Sequence, residues 1–225
     1  MTGFEEDLRD RILGFNPQIV LLSHGGTVRD YPKVVDAVRE APGVTAAAAF
    51  VYGQAMVSSD NSVAGAVVRG VEPQHASDVV DVQKHLKEGS TDKLGQPMSV
   101  STIIDGKDET IQVPQILIGF ELAKTLGVGV GDWVNMMSPL GSPTAVGMVP
   151  RVKRFGVGGI FDSGMYDYDS TIVFMSMADA QRFFEIGEKA TGIEVKVDDI
   201  DTARVVARDL EHRVGYPYFA RDWME

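Results

Sequence analysis

The sequence predicts an α+β fold in which one β-α-β subdomain is split by a long, mainly β insertion. Two patterns carry that expectation. A β-α-β-β pattern runs from Pro17 to Glu72, and a β-α-β pattern runs from Gly192 to Trp223. Neither unit alone can cover both sides of its sheet, so the two are expected to pack together although more than a hundred residues separate them. The intervening stretch, about 73–190, supplies a third observation, because short apolar and alternating runs dominate it rather than long helical periodicity.

The elements follow in order. "FEEDLRDRILGF" places Phe4, Leu8 and Ile12 on one helical stripe, with acids early and arginines late, which predicts an N-terminal helix over about 1–15. "QIVLLS" reads as a short buried strand. "DYPKVVDAVREAPG" reads as a helix with Asp30 as candidate cap, Val34, Val35 and Val38 inward, and Pro42-Gly43 as its stop. "VTAAAAFVYGQAMVSSDNSVAGAVVRGV" reads as two strands around a turn at Asp60-Asn61. At the far end, "GIEVKVDD" alternates as a strand, and Ala203, Val206, Leu210 and Val214 form one stripe of a helix from about Asp201. "YPYFARDW" returns as a strand. These segments, 16–72 and 191–225, make the split subdomain.

The insertion opens with weakly helical, charged sequence from His75 to Gly89. "QILIGFELAKTLGVGVGDWVNMMS" then reads as strand, short helix, glycine turn and strand. A turn-rich finger follows, then a strand through "FGVGGIF", a polar loop "DSGMYDYDS", a strand "TIVFMS" and a helix whose start resembles a capping box, with Ser176 and Asp179.

Composition narrows the function classes. At 225 residues with 44% hydrophobic content the chain can bury a core, and its formal net charge of -11 argues against a nucleic-acid surface. No cysteine is present, which excludes disulfides, thiolate nucleophiles and cysteine zinc sites. The longest apolar runs, such as Ala46–Tyr52, are far shorter than a bilayer-crossing helix requires.

The candidate chemical motifs each fail a spacing requirement. "GVGVGD", Gly127–Asp132, is G-x-G-x-G after a helix-like segment, whereas a dinucleotide loop needs G-x-G-x-x-G between a strand and a helix. The "GVGG" from Gly156 suggests a bulge or close packing within a strand. Asp162, Asp167 and Asp169 are spaced five and two apart, unlike a calcium loop, and are expected to form a polar connection whose acids also neutralise the nearby finger. Ser23 and His24 adjoin without G-x-S-x-G, and His75, His85 and His212 lack ligand spacing. No catalytic residue, cofactor or metal is expected.

One feature stands against the acidic background. From Trp133 to Phe161 there is no Asp or Glu, and Arg151, Lys153 and Arg154 cluster there behind Gly141, Pro143, Gly147 and Pro150. A solvated hairpin tip is the plainer account, since loops collect Gly, Pro and Lys. Val146, Met148 and Val149 beside the basic cluster have instead the anchor-plus-charge composition of a protein contact.

"QILIGFELAKTLGVGVGDWVNMMSP", "VPRVKRFGVGGIFDSGMYDYDSTIVFMSMADAQRFF" and "YPYFARDWME" together resemble the lipoprotein-releasing permeases, the LolC/LolE family, within the MacB-like class of ABC-transporter permeases. The resemblance implies a periplasmic domain of an inner-membrane protein, with 1–15 continuing from a membrane helix. Residues 16–72 and 191–225 would form a Porter-like subdomain, and 73–190 an inserted Sabre-like one. It implies no enzyme activity in the domain, ATP hydrolysis in a separate cytoplasmic subunit, a second permease subunit, and delivery of acylated lipoproteins to a LolA-like carrier. In that family a β-hairpin hook enters the carrier. Here it corresponds to about 138–154, with Val146, Met148, Val149 and Pro150 toward its apolar end and Arg151, Lys153 and Arg154 at its base. The charges would steer and the apolar end would anchor. The alternatives are a MacB-like efflux or cell-division permease domain, or an unrelated ligand-binding or adhesion domain.

Overall fold

The computed structural model describes residues 17–73, 82–104, 107–144 and 147–222, so the helix expected over 1–15 lies outside the described residues. The fold is α+β, with eleven strands and five α-helices among the described residues. It divides into two compact units. One takes the described residues up to Val51, those between Val71 and Val82 and those from Ile186 onward. The other takes Tyr52–Gly70 and Gln83–Glu185. The division falls inside a strand, so the outer half of the hairpin around Asp60-Asn61 packs with the inserted unit.

The first unit contains β1 (Ile19–Ser23), α1 (Tyr31–Arg39), the first half of β2 (Val44–Ser58), β10 (Gly192–Val197), α5 (Ala203–Val214) and β11 (Tyr218–Asp222). Its strands run in the order β11-β1-β10-β2, each antiparallel to the next. Ile19 and Leu21 of β1, Ile193 and Val195 of β10, Val38 of α1 and Leu210 of α5 are completely buried. The two helices therefore cover the sheet with the stripes that their periodicity predicts. Asp30 does not cap α1 with its side chain. It adopts a left-handed backbone (φ 46), and Pro32 in the first turn starts the helix without needing a donor there.

The second unit contains the outer half of β2, β3 (Val63–Val71, to Gly70), β4 (Leu86–Gly89), β5 (Pro97–Ile104), β6 (Lys107–Gly119), α2 (Phe120–Leu126), β7 (Trp133–Thr144), β8 (Gly147–Phe161), α3 (Tyr166–Asp169), β9 (Ile172–Ser176) and α4 (Met177–Phe184). Its central order is β9-β6-β8-β4, with β6 and β8 parallel from Gln115↔Gly156 to Gly119↔Phe161. Phe155, Phe161, Phe174 and Phe183 are buried together, and Phe161–Phe174 and Phe155–Phe183 meet edge to face at 5.3 and 5.7 Å. The glycines of β8 serve close packing. A Cβ on Gly159 would lie 2.9 Å from Leu117, and the β6–β8 register shifts beside it.

Ser176 caps α4 by accepting the Asp179 N–H at 3.2 Å. The antiparallel β5–β6 hairpin, from Pro97↔Pro114 to Ile104↔Lys107, is an element absent from the sequence reading. No helix among the described residues is long and apolar enough to cross a membrane.

Candidate partner-binding hairpin

β7 and β8 pair from Trp133↔Gly156 outward to Thr144↔Gly147. β2 accompanies β7 only at Met56↔Met137, Val57↔Met136 and Ser58↔Asn135, and β6 accompanies β8 only from Gly156 inward. Among the described residues, the ribbon beyond Met137 and before Gly156 thus pairs only with itself.

Its register breaks once. Between Ser138↔Arg151 and Ser142↔Val149, three residues of β7 (139–141) face a single residue of β8, Pro150. Proline has no N–H for the ladder, and a bulge is where a sheet tolerates one. Beyond the bulge Val149 is paired with Ser142 and Met148 with Pro143, while Val146 lies outside the described residues. Pro150 is exposed.

The three basic residues have different surroundings. Arg151 forms an ion pair with Glu185, the residue that ends α4 in a left-handed conformation (φ 55). The Arg154 guanidinium lies 4.1 Å from the centroid of the Trp133 ring. Lys153 is exposed and has no ion pair among the described residues. Only Lys153 is therefore an uncommitted charge. Val152, 60% exposed between them, was not singled out by the sequence, though an apolar residue flanked by cations in a strand was the available signal. The Glu185 partner was hidden because 34 positions separate it from Arg151.

The carboxylate loop does not neutralise the finger as the sequence suggested. Asp162 bonds Lys87 at 3.2 Å, and that ammonium holds its carboxyl below the usual aspartate range. Asp169 is buried and accepts the Ser163 N–H at 2.8 Å, and burial pushes its carboxyl up. No group of three His, Cys, Asp or Glu side chains among the described residues is arranged to hold a metal. "GVGVGD" is the left-handed C-cap of α2, at Gly127, followed by a turn in which Asp132 accepts the Gly129 N–H at 2.8 Å. Ser23 accepts the Gly25 N–H, and His24 instead stacks on Phe219 with ring centroids 4.6 Å apart. His212 is exposed, His85 ends a single 3-10 turn, and His75 lies outside the described residues.

This fold and ribbon define a class. The model of the MacB-like periplasmic core domain matches residues 2–213, and the chain belongs to that family. Among solved structures, it is similar to the periplasmic region of MacB from Actinobacillus actinomycetemcomitans, with a TM-score of 0.57 at 13% identity over 98% of this chain and 94% of that one, a likeness of fold. Within the family its sequence is similar to the lipoprotein-releasing system transmembrane protein LolC of Xylella fastidiosa (strain 9a5c), 32% identical over 99% of this chain and 50% of that protein. LolC of Neisseria meningitidis serogroup B is 26% identical over 99% of this chain and 50% of its own length. The chain spans about half the length of the curated relatives it matches.

Proposed function

We propose that this chain is the periplasmic domain of an inner-membrane ABC-transporter permease that releases acylated lipoproteins, and that the outer β7–β8 ribbon is the hook that docks into a LolA-like periplasmic carrier. The observation that carries the reading is the self-paired ribbon, its register broken opposite Pro150, with an acid-free sequence on an otherwise acidic chain. The similarity to LolC supports it. In this reading the Porter-like part is 16–72 with 191–225, the Sabre-like part is 73–190, and a second permease subunit and a cytoplasmic ATPase complete the complex. The domain itself performs no catalysis. Lipoprotein release is preferred to a MacB-like efflux or cell-division role because the similar full-length sequences are lipoprotein-releasing system proteins, LolC and LolE.

The roles of the residues divide by chemistry. Val146, Met148, Val149 and Pro150 anchor in the carrier's apolar cavity, at about 1–3 kcal/mol for each well-buried side chain. Lys153 supplies most of the steering, because Arg151 is paired and Arg154 is stacked. The test is carrier-binding kinetics at low and high salt. Met148→Asp is expected to abolish binding at any salt by burying an unpaired charge. Lys153→Ala is expected to slow association mainly at low salt and to account for most of the loss seen when all three cations become Ala. Wild-type binding by both Met148→Asp and the triple variant, with circular dichroism unchanged, would return the ribbon to a solvated turn.

A further inference from the structure

The ladder between β6 and β8 ends at Gln115↔Gly156, and outward of that pair the two strands part. β6 continues against β5 and β8 continues against β7, so two ribbons leave the sheet as the tines of a fork. Between them lies a cleft of about 500 Å³, walled by Ile111 and Val113 of β6 and by Phe155 and Lys153 of β8, with Arg182 of α4 at its side.

Strand alternation fixes which backbone groups face this cleft. Val157 uses both its N–H and its C=O toward the β7 side, to Asp132 and from Gly131, at 2.8 and 2.9 Å. Counting back in twos, Phe155 and Lys153 also turn their backbone groups toward β7, so those of Val152 and Arg154 point away from β7 and into the fork. The Gln115 N–H bonds Gln96 on the β5 side at 3.0 Å, so by the same count Gln112 turns its N–H and C=O into the fork. The registers of both ribbons are unbroken over these residues. Among the described residues, two strand edges thus offer ladder groups without a ladder partner across one cleft, which is the condition for strand addition.

The charge of the cleft selects its occupant. Lys153, Arg154 and Arg182 line it against a single carboxylate, Asp179, which is already engaged by the Ser176 hydroxyl at 2.5 Å and by Arg182 at 2.6 Å. We propose that the β6–β8 fork accepts an extended, acid-rich segment of another polypeptide, bonded to the edges of Gln112 on one side and of Val152 and Arg154 on the other. Half-buried Ile111, backed by the buried Val113 and Phe155, would take its apolar side chains and the cations its carboxylates. A second copy of this chain, at net charge -11, is disfavoured by long-range repulsion. The site shares Val152, Lys153 and Arg154 with the base of the hook but uses none of residues 146–150, so a variant at the apolar end separates the two readings.

The probe is a fluorescein-labelled peptide of alternating Glu and Val, with a Lys and Val counterpart as control, titrated into the chain by anisotropy at low and high salt. Saturable binding of the acidic peptide only is expected, weakened by about tenfold or more in Lys153→Glu combined with Arg182→Glu. Gln112→Pro removes a donor that faces only the fork and is expected to weaken binding with the charges intact. Hydrogen exchange on the wild-type chain gives a readout that needs no variant, because bound peptide should protect the amides of Gln112, Val152 and Arg154. Met148→Asp should leave peptide binding unchanged, so failure of the hook reading and failure of the fork are distinguishable. Absence of saturable binding, binding without protection at those three amides, or sedimentation showing that copies of the chain fill the fork would each overturn the proposal.

Discussion

The two halves of β8 have the same strand geometry and opposite chemistry. From Phe155 to Phe161 it is enclosed, with Phe155, Val157, Ile160 and Phe161 all buried and glycines where neighbours leave no room for a side chain. From Pro150 to Arg154 it carries one exposed proline, one exposed valine and three cations. The difference teaches that a single strand can serve as core at its root and as contact surface at its far end, provided the partner strands change along it. β6 and β4 flank the root, whereas among the described residues β7 alone accompanies the outer half. Stability and recognition should therefore separate by position along β8.

The strongest way to break this comparison is to show that the root can be emptied without harm. Phe155→Ala removes a ring that packs edge to face on Phe183 and is expected to cost about 3–5 kcal/mol, whereas Val152→Ala, three residues away, is expected to stay within about 0.5 kcal/mol. Urea unfolding of both variants measures the gap. Equal costs would mean that the outer half is as much a part of the core as the root.

A smaller effect is expected at the strand that seals the root. Gly89 of β4 pairs with Gly159, has a φ of +84, and a Cβ there would fall on the carbonyl oxygen of Gly158, far inside contact distance. Gly89→Ala is therefore both strained and overpacked, and a loss of about 2–3 kcal/mol is expected in the same unfolding assay. A neutral result would show that β4 does not clamp β8.

How far this organisation was legible in the sequence depends on the range of the signal. α1 and α5 were legible because each buries one face and so repeats apolar residues at helical period, β1 because it is a short continuous apolar run, and β10 because Ile193, Val195 and Val197 alternate in its sequence although the fold buries both its faces. The Ser176 cap was legible because its two partners are three residues apart. The β5–β6 hairpin was missed although Asp105-Gly106 stands between two stretches rich in β-formers, the ordinary signal for a tight hairpin. Its charged arm, "KDET", obscures the alternation. The finger could be located from charge alone, but its internal differences could not. They depend on Glu185 and Trp133, which the fold brings to Arg151 and Arg154 from other elements. The fork was not legible at all, because it is a divergence of two pairings and neither strand's own sequence records where its neighbour leaves.

Acid titration sharpens the comparison at the inner end of β8. Asp162 follows the last root residue, and its folded carboxyl is lowered chiefly by the Lys87 hydrogen bond. A lowered folded value means that the pair stabilises the fold above the ordinary aspartate value of about 3.9 and that this contribution fades as pH falls through it toward the folded value. Asp169 acts in the opposite sense. Its carboxyl is raised by burial, so its ionisation opposes folding as pH rises past the ordinary value. Lys87→Met should therefore differ from wild type by a pH-dependent amount that shrinks below about pH 4, while the contact of Lys87 with the Phe120 ring contributes a part that does not titrate with Asp162. Both side chains are about two-fifths exposed, at 42% and 39%, so the effect is modest and best read as the change in unfolding midpoint between neutral and acidic buffer. A gap that widens in acid would reverse the assignment of Asp162.

The smallest expected effect tests whether the outer half contributes to stability at all. Glu185 is half exposed, at 54%, and its partner Arg151 is 27% exposed, so the pair is close to surface in character and worth about 0–1 kcal/mol. Glu185→Gln is expected to change the unfolding midpoint barely, with whatever change occurs vanishing at high salt. Its consequence for recognition is larger than its consequence for the fold. Glu185→Gln removes one negative charge from beside the basic stretch of the ribbon, so association with an acidic partner should become faster at low salt and should depend more steeply on ionic strength. Unfolding and association rates measured on the same preparation separate the two effects. A variant that loses several kcal/mol of stability, or that associates no faster at low salt, would show that the pair holds the ribbon in place, and the division of β8 into root and contact surface would then have to be drawn beyond Arg151.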